Sequence, residues 1–235
     1  MSIRGLPAFV CDFGRYRRAS RQGGLPIRLS NLYPILPERY MNAGAGAGHY
    51  FSQDLWAARK VYARRPSTHV DIGSLVSGFV SHILVFTDRV EVIDIRPLHS
   101  TVSNLVFIQD DATRLNRYDD NSVESVSSLH APEHFGLGRY GDPIDPGAHV
   151  TFLRALARVL KPGGRLYVSV PTGVERLAFN AHRILSPTTI LSACAGLELL
   201  SFALIKDDGH LYEGATLDEA AQQWHGCGLY EFTKP

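Results

Sequence analysis

Val70-Asp71-Ile72-Gly73-Ser74-Leu75-Val76-Ser77-Gly78 reads as the end of a strand, a tight glycine turn and the start of a helix. In an open parallel sheet, ligands bind outside the carboxyl ends of the strands. A turn glycine there lets backbone amides approach the ligand, and a helix N-terminus favours negative charge. About 20 residues further on, Val90-Glu91-Val92-Ile93-Asp94 puts a carboxylate at the end of a second strand, where it can accept both ribose hydroxyls of a nucleoside. A third element, Phe107-Ile108-Gln109-Asp110-Asp111-Ala112-Thr113-Arg114-Leu115, follows a third strand. Its acid either hydrogen-bonds an adenine amino group or closes a solvated Asx turn.

Outward from this stretch the chain alternates β-branched runs with helical or loop segments, the pattern that builds a parallel sheet. The strands are read at 69–72, 90–93, 105–108, 123–127, 165–170, 197–205 and 228–233. The clearest helix runs over 148–160, where Phe152, Leu153, Leu156, Val159 and Leu160 fall on one face and Pro162-Gly163-Gly164 ends it. Another starts near Ser186-Pro187, with serine as cap and proline in the first turn. Before the first strand, Leu55, Trp56, Val61 and Tyr62 are spaced for a helix capped by Ser52 and stopped by Pro66. Residues 1 to about 45 are rich in Pro, Gly and Arg, and their Gly-Ala run holds no regular element cheaply. His49-Tyr50-Phe51 either folds over the site as a lid or staples the helix that follows.

Bulk numbers set limits. At 235 residues, 45% hydrophobic and 20% charged, the chain has the size and composition of one well-filled globular domain. Twenty-four basic residues against 23 acidic ones leave a net charge of +1, so no global field draws it to nucleic acid or an anionic membrane. Arg4, Arg15, Arg17, Arg18, Arg21 and Arg28 give the first segment a local basic bias, read as a solvated arm or an anion site. Three scattered cysteines make no disulfide framework and no zinc-spaced cluster. With no signal peptide and no membrane span legible, a reducing cytoplasm is the expected setting.

As a set, Asp71-x-Gly73, Asp94, Asp111-Ala112 and then Leu160-Lys161-Pro162-Gly163-Gly164-Arg165-Leu166 before a strand resemble the class I S-adenosylmethionine (SAM) dependent methyltransferases over residues 68–172. The stretches Ile93-Asp94-Ile95-Arg96-Pro97-Leu98, residues 130–143 and Phe179-Asn180-Ala181-His182-Arg183 are similar to a small methyltransferase-like family of unknown function, DUF268-like. Its members accompany glycan-building genes. The resemblance implies a Rossmann-like, doubly wound α/β fold: seven strands, mostly parallel with the last antiparallel, and helices on both faces. It divides the chain into an N-terminal extension, 1–48, partly irregular, and a methyltransferase-like domain, 49–235. SAM would be the cofactor, with Asp71, Gly73 and Gly78 at its methionine part, Asp94 at the ribose, and Asp111 with Ala112 at the adenine. Ser74, Phe79, Ile95, Arg96 and Leu129 complete that set. One departure stands out: those enzymes carry Gly-x-Gly in the turn, and here the second position is Leu75.

The loop after the fourth strand concentrates polar chemistry in Glu133, His134, Arg139, Tyr140, Asp142 and Asp145. Transfer of a methyl group to a hydroxyl needs a base near neutrality, which points to His130 or His134, oriented by Glu133. Arg139, Tyr140 and Asp142 are read as acceptor-binding. Glu175, Arg176, His182 and Arg183 are either substrate contacts or exposed ion pairs. Asp142, Asp145 and a histidine could ligate a hard cation, but no fixed spacing supports it and no metal is expected.

The expected function is methylation of an oxygen on a sugar, glycan or other small polyhydroxylated acceptor, with a homodimer allowed. The alternative is a non-catalytic methyltransferase-like partner in a glycan pathway. A dinucleotide oxidoreductase lacks its G-x-G-x-x-G. Nucleic-acid methylation lacks a basic aromatic stripe and has Ser128-Leu129-His130-Ala131 where an Asn-Pro-Pro-aromatic tetrad would stand.

Overall fold

Alternation along the first strand, β1 (Thr68–Ile72), divides the sheet into an apolar and a polar face. Val70 and Ile72 join the apolar core on one side. His69 and Asp71 point to the other, His69 against the Phe79 ring and Asp71 toward Ser127. The computed structural model that reveals this describes residues 3–44 and 46–235. The chain divides between residues 45 and 46 into two units.

In the first unit, α1 (Leu6–Ala19) starts on Pro7, whose fixed φ suits a first helical turn. It buries none of its own residues. Arg39 pairs with Asp12, and the Tyr16 hydroxyl donates to the Leu25 carbonyl at 3.2 Å. A regular helix thus stands within the stretch read as partly irregular, and Arg15, Arg17, Arg18 and Arg21 are exposed on and beside it.

The second unit begins with α2 (His49–Arg64). Ser52 is not its cap, as the spacing suggested: the helix opens one turn earlier, after Gly48, which has a φ of 95°. From β1 the chain makes a wide helical turn, Val76–Val80, running into α3 (Ser81–Ile83). It continues through β2 (Arg89–Asp94), β3 (Leu105–Gln109) and β4 (Val123–Leu129). Then come α4 (Ala148–Val159), β5 (Leu160–Thr172), the small hairpin β6 (Arg176–Ala178) and β7 (His182–Ile184), and α5 (Pro187–Ala193). Ser186 caps α5 by accepting from the Thr189 amide, as read from the sequence. β8 (Glu198–Ile205), β9 (Leu211–Tyr212), α6 (Leu217–Ala221) and β10 (Gly226–Thr233) follow.

The strand order is β3-β2-β1-β4-β5-β10-β8-β9. β3, β2, β1, β4 and β5 are parallel, and β10 runs antiparallel between β5 and β8. The sheet has eight strands rather than seven, because the two-residue β9 adds an antiparallel edge to β8. Its mostly parallel, doubly wound form is the class I methyltransferase fold. The order reverses between β1 and β4, which leaves a crevice at their carboxyl ends.

Each face has its own core. On one, Phe152, Leu153, Leu156 and Val159 of α4 and Ile190 of α5 pack on Val70, Ile72, Val126, Leu166, Val168 and Val170. On the other, Trp56 and Val61 of α2 and Phe79, Val80 and Ile83 cover Val90, Val92, Leu129, Tyr167 and Leu229. This second face also carries a line of buried polar groups linked side chain to side chain.

Candidate active site

Asp71 anchors that line. It is fully buried and accepts from the Ser74 hydroxyl and the Ser127 hydroxyl, both at 2.6 Å, and from the Ser74 amide at 3.1 Å. Burial pushes its pKa up to about 6, against the pull of these donors. Ser127 gives its proton to Asp71, so its oxygen accepts from His69 Nε2 at 2.8 Å. His69 Nδ1 is then the acceptor for Ser125, at 2.7 Å. Burial holds His69 neutral, its pKa down near 3. The Ser74 hydroxyl in turn accepts from the Leu129 amide at 3.1 Å, so the turn after β1 is tied to the end of β4.

Above this base Gly73 turns left-handed at a φ of 71°, and a Cβ there would sit 2.9 Å from that of Ala131. The turn opens into a cleft of about 80 Å³ walled by Ile72, Gly73, Ile93, Asp94, Ile95, Arg96, Asp110, Asp111, Ala112, His130, Ala131, His134, Phe135, Tyr140 and Asp142. Asp94 is held by Arg96: Oδ1 accepts from its amide at 2.8 Å and its Nε at 3.0 Å, and Oδ2 from its NH2 at 2.7 Å. The Arg96 guanidinium also lies 4.4 Å over the Tyr140 ring. Asp111 Oδ1 accepts from the amide and hydroxyl of Thr113, an Asx turn, while its carboxylate still faces the cleft.

A larger cavity adjoins the cleft and is lined by Ser74, Leu75, Leu129, Glu133, Arg139, His182, His49, Tyr50 and His225, among others. His130 and His134 touch both spaces. His130 has a left-handed backbone, φ 50°, unusual for a residue with a side chain. Its Nδ1 meets Glu133 Oε1 at 2.8 Å and its Nε2 meets His49 Nδ1 at 3.2 Å. Burial opposes a charge on His130, but Cys227 and Glu133 together hold its pKa well above the ordinary histidine value. Burial likewise disfavours the Glu133 charge and is outweighed by His130, leaving that carboxyl low. His49 is pushed down to about 4 by burial and by the charges of His130 and His225. His134 Nδ1 donates to the Ala181 carbonyl at 2.7 Å, leaving Nε2 as the lone-pair nitrogen, 3.7 Å from Glu133 Oε1. Burial lowers the His134 pKa, with Glu133 opposing.

Of the cofactor set read from the sequence, Gly73, Asp94, Ile95, Arg96, Asp111 and Ala112 wall the cleft, and Ser74 and Leu129 the adjoining cavity. Asp71, Gly78 and Phe79 do not reach either space. Asp71 lies beneath the turn as its brace. Gly78 packs on Asp54, where a Cβ would meet Oδ2 at 2.2 Å, and Phe79 is fully buried in the α2 core. Asp142 organises its own loop by accepting from the Gly136, Gly138 and Tyr140 amides. Arg139 donates to the Ala181 carbonyl.

Glu175, Arg176 and Arg183 line a separate surface pocket with His149. Arg183 is buried and spends its guanidinium on the carbonyls of Glu133, Phe135 and Pro146, and Arg176 lies on Trp224. His49 and Tyr50, the lid-or-staple residues, form the first turn of α2 and part of the cavity wall. His225 and Cys227 escaped the sequence reading. The signal for them was the antiparallel last strand, which brings its first residues to the same sheet edge as the carboxyl ends of the parallel strands.

A family model described as "Caenorhabditis protein of unknown function, DUF268" matches residues 64–217. No curated protein matches the chain. Among solved structures, the N-methyltransferase NodS from Bradyrhizobium japonicum, in complex with S-adenosylhomocysteine, is 15% identical at a TM-score of 0.52, covering 94% of this chain and 97% of its own. A S-adenosylmethionine-dependent methyltransferase from Clostridium acetobutylicum is 8% identical at 0.53, covering 94% and 98%. The (4+2) cyclase SpnF is 15% identical at 0.54, covering 80% and 87%. At these identities the likeness is one of fold, and a cyclase among the neighbours makes the point that fold does not fix chemistry.

Proposed function

This chain belongs to the DUF268 family, and we propose from its site that it is a SAM-dependent methyltransferase acting on an oxygen of a sugar, glycan or other small polyhydroxylated acceptor. The observation that carries the reading is the shared wall formed by Gly73, Asp94 and Asp111, with His134 facing the cavity next to it. The donor set fits the cofactor: a carboxylate at the end of β2 for a ribose, a second acid after β3, and apolar Ile93, Ile95, Ala112 and Phe135 beside a purine. When bound, SAM supplies a methyl group on a positively charged sulfur. Asp94 would hold the ribose by exchanging Arg96 hydrogen bonds for hydroxyls.

His134 Nε2, neutral at pH 7, takes the proton that the acceptor hydroxyl gives up as its oxygen is alkylated. The Glu133 carboxylate at 3.7 Å stabilises the imidazolium that results. Arg139, Tyr140 and His182 border the space left for the acceptor. Positioning supplies much of the rate in this scheme. The proposal includes a cytoplasmic setting, in keeping with the buried free thiols of Cys194 and Cys227.

The test is calorimetric titration with S-adenosylhomocysteine on the full chain and on Asp94→Ala. Micromolar binding that is lost in the variant supports the enzyme and directs the search to nucleotide sugars and glycans as acceptors. A folded protein that binds none overturns it in favour of a non-catalytic partner in a glycan pathway. Two observations favour that second reading: Arg96 already occupies both Asp94 oxygens, and Leu75, 47% exposed, stands on the cavity wall beside Gly73.

A further inference from the structure

Five histidines and the buried Glu133 line the larger cavity, with the buried Cys227 beside His49 and His130, more than methyl transfer requires. His49 stacks between His130, at 5.1 Å, and His225, at 5.3 Å, and His182 follows at 5.3 Å from His225. Within this group the ligating atoms of His49, His130 and Cys227 all lie within 4.8 Å of one another. They come from the first turn of α2, the loop after β4 and the start of β10, so no sequence spacing announces them.

We infer that His49 Nδ1, His130 Nε2 and Cys227 Sγ bind one zinc-class divalent ion, whose fourth position opens to the cavity. Three observations carry this. The two imidazole nitrogens face each other at 3.2 Å, the edge of a tetrahedron built on metal–nitrogen bonds of about 2.0 Å, which is about 3.3 Å. With a zinc–sulfur bond of about 2.3 Å the sulfur–nitrogen edge is about 3.6 Å, so from within 4.8 Å the thiol has at most about 1.2 Å to close. Secondly, the other nitrogen of His130 meets Glu133 Oε1 at 2.8 Å, the carboxylate–histidine–metal arrangement that fixes the tautomer and aims the lone pair at an ion.

Thirdly, Glu133 is 1% exposed and its Oε2 has no hydrogen-bond partner among the described residues, so the carboxylate is a buried negative charge beside the three ligands. The left-handed backbone of His130 is the strain that aiming the ring demands.

The ligand chemistry selects the ion. One thiolate and two imidazoles suit zinc or a similar transition metal and not magnesium or calcium. Three protein ligands leave an open position of the catalytic type, whereas a structural site would be closed by a fourth. Binding needs the Cys227 thiolate and the His130 Nε2 lone pair, so protons held on those two atoms go to solvent while His130 keeps its Nδ1 proton on Glu133. The ion site stands independently of the methyl-transfer reading. Resting on that reading, its open position would take the acceptor oxygen and lower the hydroxyl pKa before the proton passes to His134.

The test uses the full chain stripped by a chelator. Zinc is titrated against a chromophoric competitor, and cobalt(II) is added in parallel to reveal thiolate charge-transfer absorption in the near ultraviolet. One equivalent of zinc, with the cobalt band present, is expected. Cys227→Ser, nearly isosteric, abolishes the band and weakens zinc at least a hundredfold. His49→Gln weakens it similarly, and Glu133→Gln about tenfold to a hundredfold. Should Cys227→Ser fail to fold by circular dichroism, the wild-type cobalt spectrum decides alone.

Uptake below half an equivalent, cobalt bound without the band, or zinc affinity untouched by Cys227→Ser each overturns the site. S-adenosylhomocysteine binding is measured on the same samples. Asp94→Ala removes that ligand and keeps zinc, while Cys227→Ser does the reverse, so failure of one idea is visible apart from failure of the other.

Discussion

The two faces of the sheet are covered by helices in the same way and do different work. Toward α4 and α5 the strands present Val70, Ile72, Val126, Leu166, Val168 and Val170, a mainly apolar surface whose buried Ser128 and Thr172 hydroxyls each donate to a backbone carbonyl. Toward α2 the same strands present His69, Asp71, Ser125 and Ser127, buried and joined by hydrogen bonds, and Ser169, which donates separately to Gln53 at 2.6 Å. Apolar burial stabilises without direction, while a satisfied polar chain fixes geometry at the cost of desolvation. The first face holds the domain together. The second aims the turn that carries Gly73 and the end of β4 that carries His130.

The strongest break in this comparison is Leu156→Ala on the apolar face. Its cavity lowers unfolding free energy by about 4 kcal/mol, read as a shifted urea midpoint, with affinity for S-adenosylhomocysteine unchanged. The polar face should respond to pH instead. His69, near 3 when folded against the ordinary 6.5 of an unfolded histidine, refuses a proton in the native state. Its contribution is present above pH 6.5 and is lost as the pH falls toward 3. Asp71, raised to about 6, has the opposite slope, contributing below its ordinary value and losing that contribution as the pH rises through 6.

The histidine shift is the larger, so between pH 6.5 and 4 His69→Gln should lose about 3 kcal/mol less stability than the parent. An unchanged slope in chemical denaturation across that range would break the account. His134→Gln should lower kcat about a hundredfold, with KM and unfolding midpoint preserved. The parent's activity should rise through a pKa below the ordinary histidine value, since burial lowers that of His134. The smallest effect is that of Ser127→Ala. Removing the link between His69 and Asp71 should cost about 2 kcal/mol and weaken S-adenosylhomocysteine a fewfold through the loosened turn.

What could be read without coordinates was whatever is written locally. The turn at Gly73, the acid at Asp94, the α4 stripe and the Ser186 cap each depend on neighbours a few residues away. β9 is two residues long and has no pattern to detect. The start of α2 was misread because Ser52 is a good capping residue in its own right, whereas the helix continues back through its first turn to Gly48. Asp71 was given to the cleft because spacing fixes position along a strand, but the alternation with Val70 and Ile72 turns its side chain under the turn. The grouping of His49, His130 and Cys227 is the least legible feature, since three distant segments meet only after the sheet closes.

The position of β10 sets an order of events in synthesis. β8 and β9 leave the ribosome before β10, yet β10 is the strand that joins them to β5. Until it emerges, β8 is an orphan edge, and the parallel half of the sheet ends at an unpaired β5. The strand that completes the sheet also brings Cys227 beside His49 and His130, and His225, just before it, to the cavity wall. A nascent chain therefore carries no assembled histidine–cysteine cluster, and the appearance of that cluster marks a finished fold.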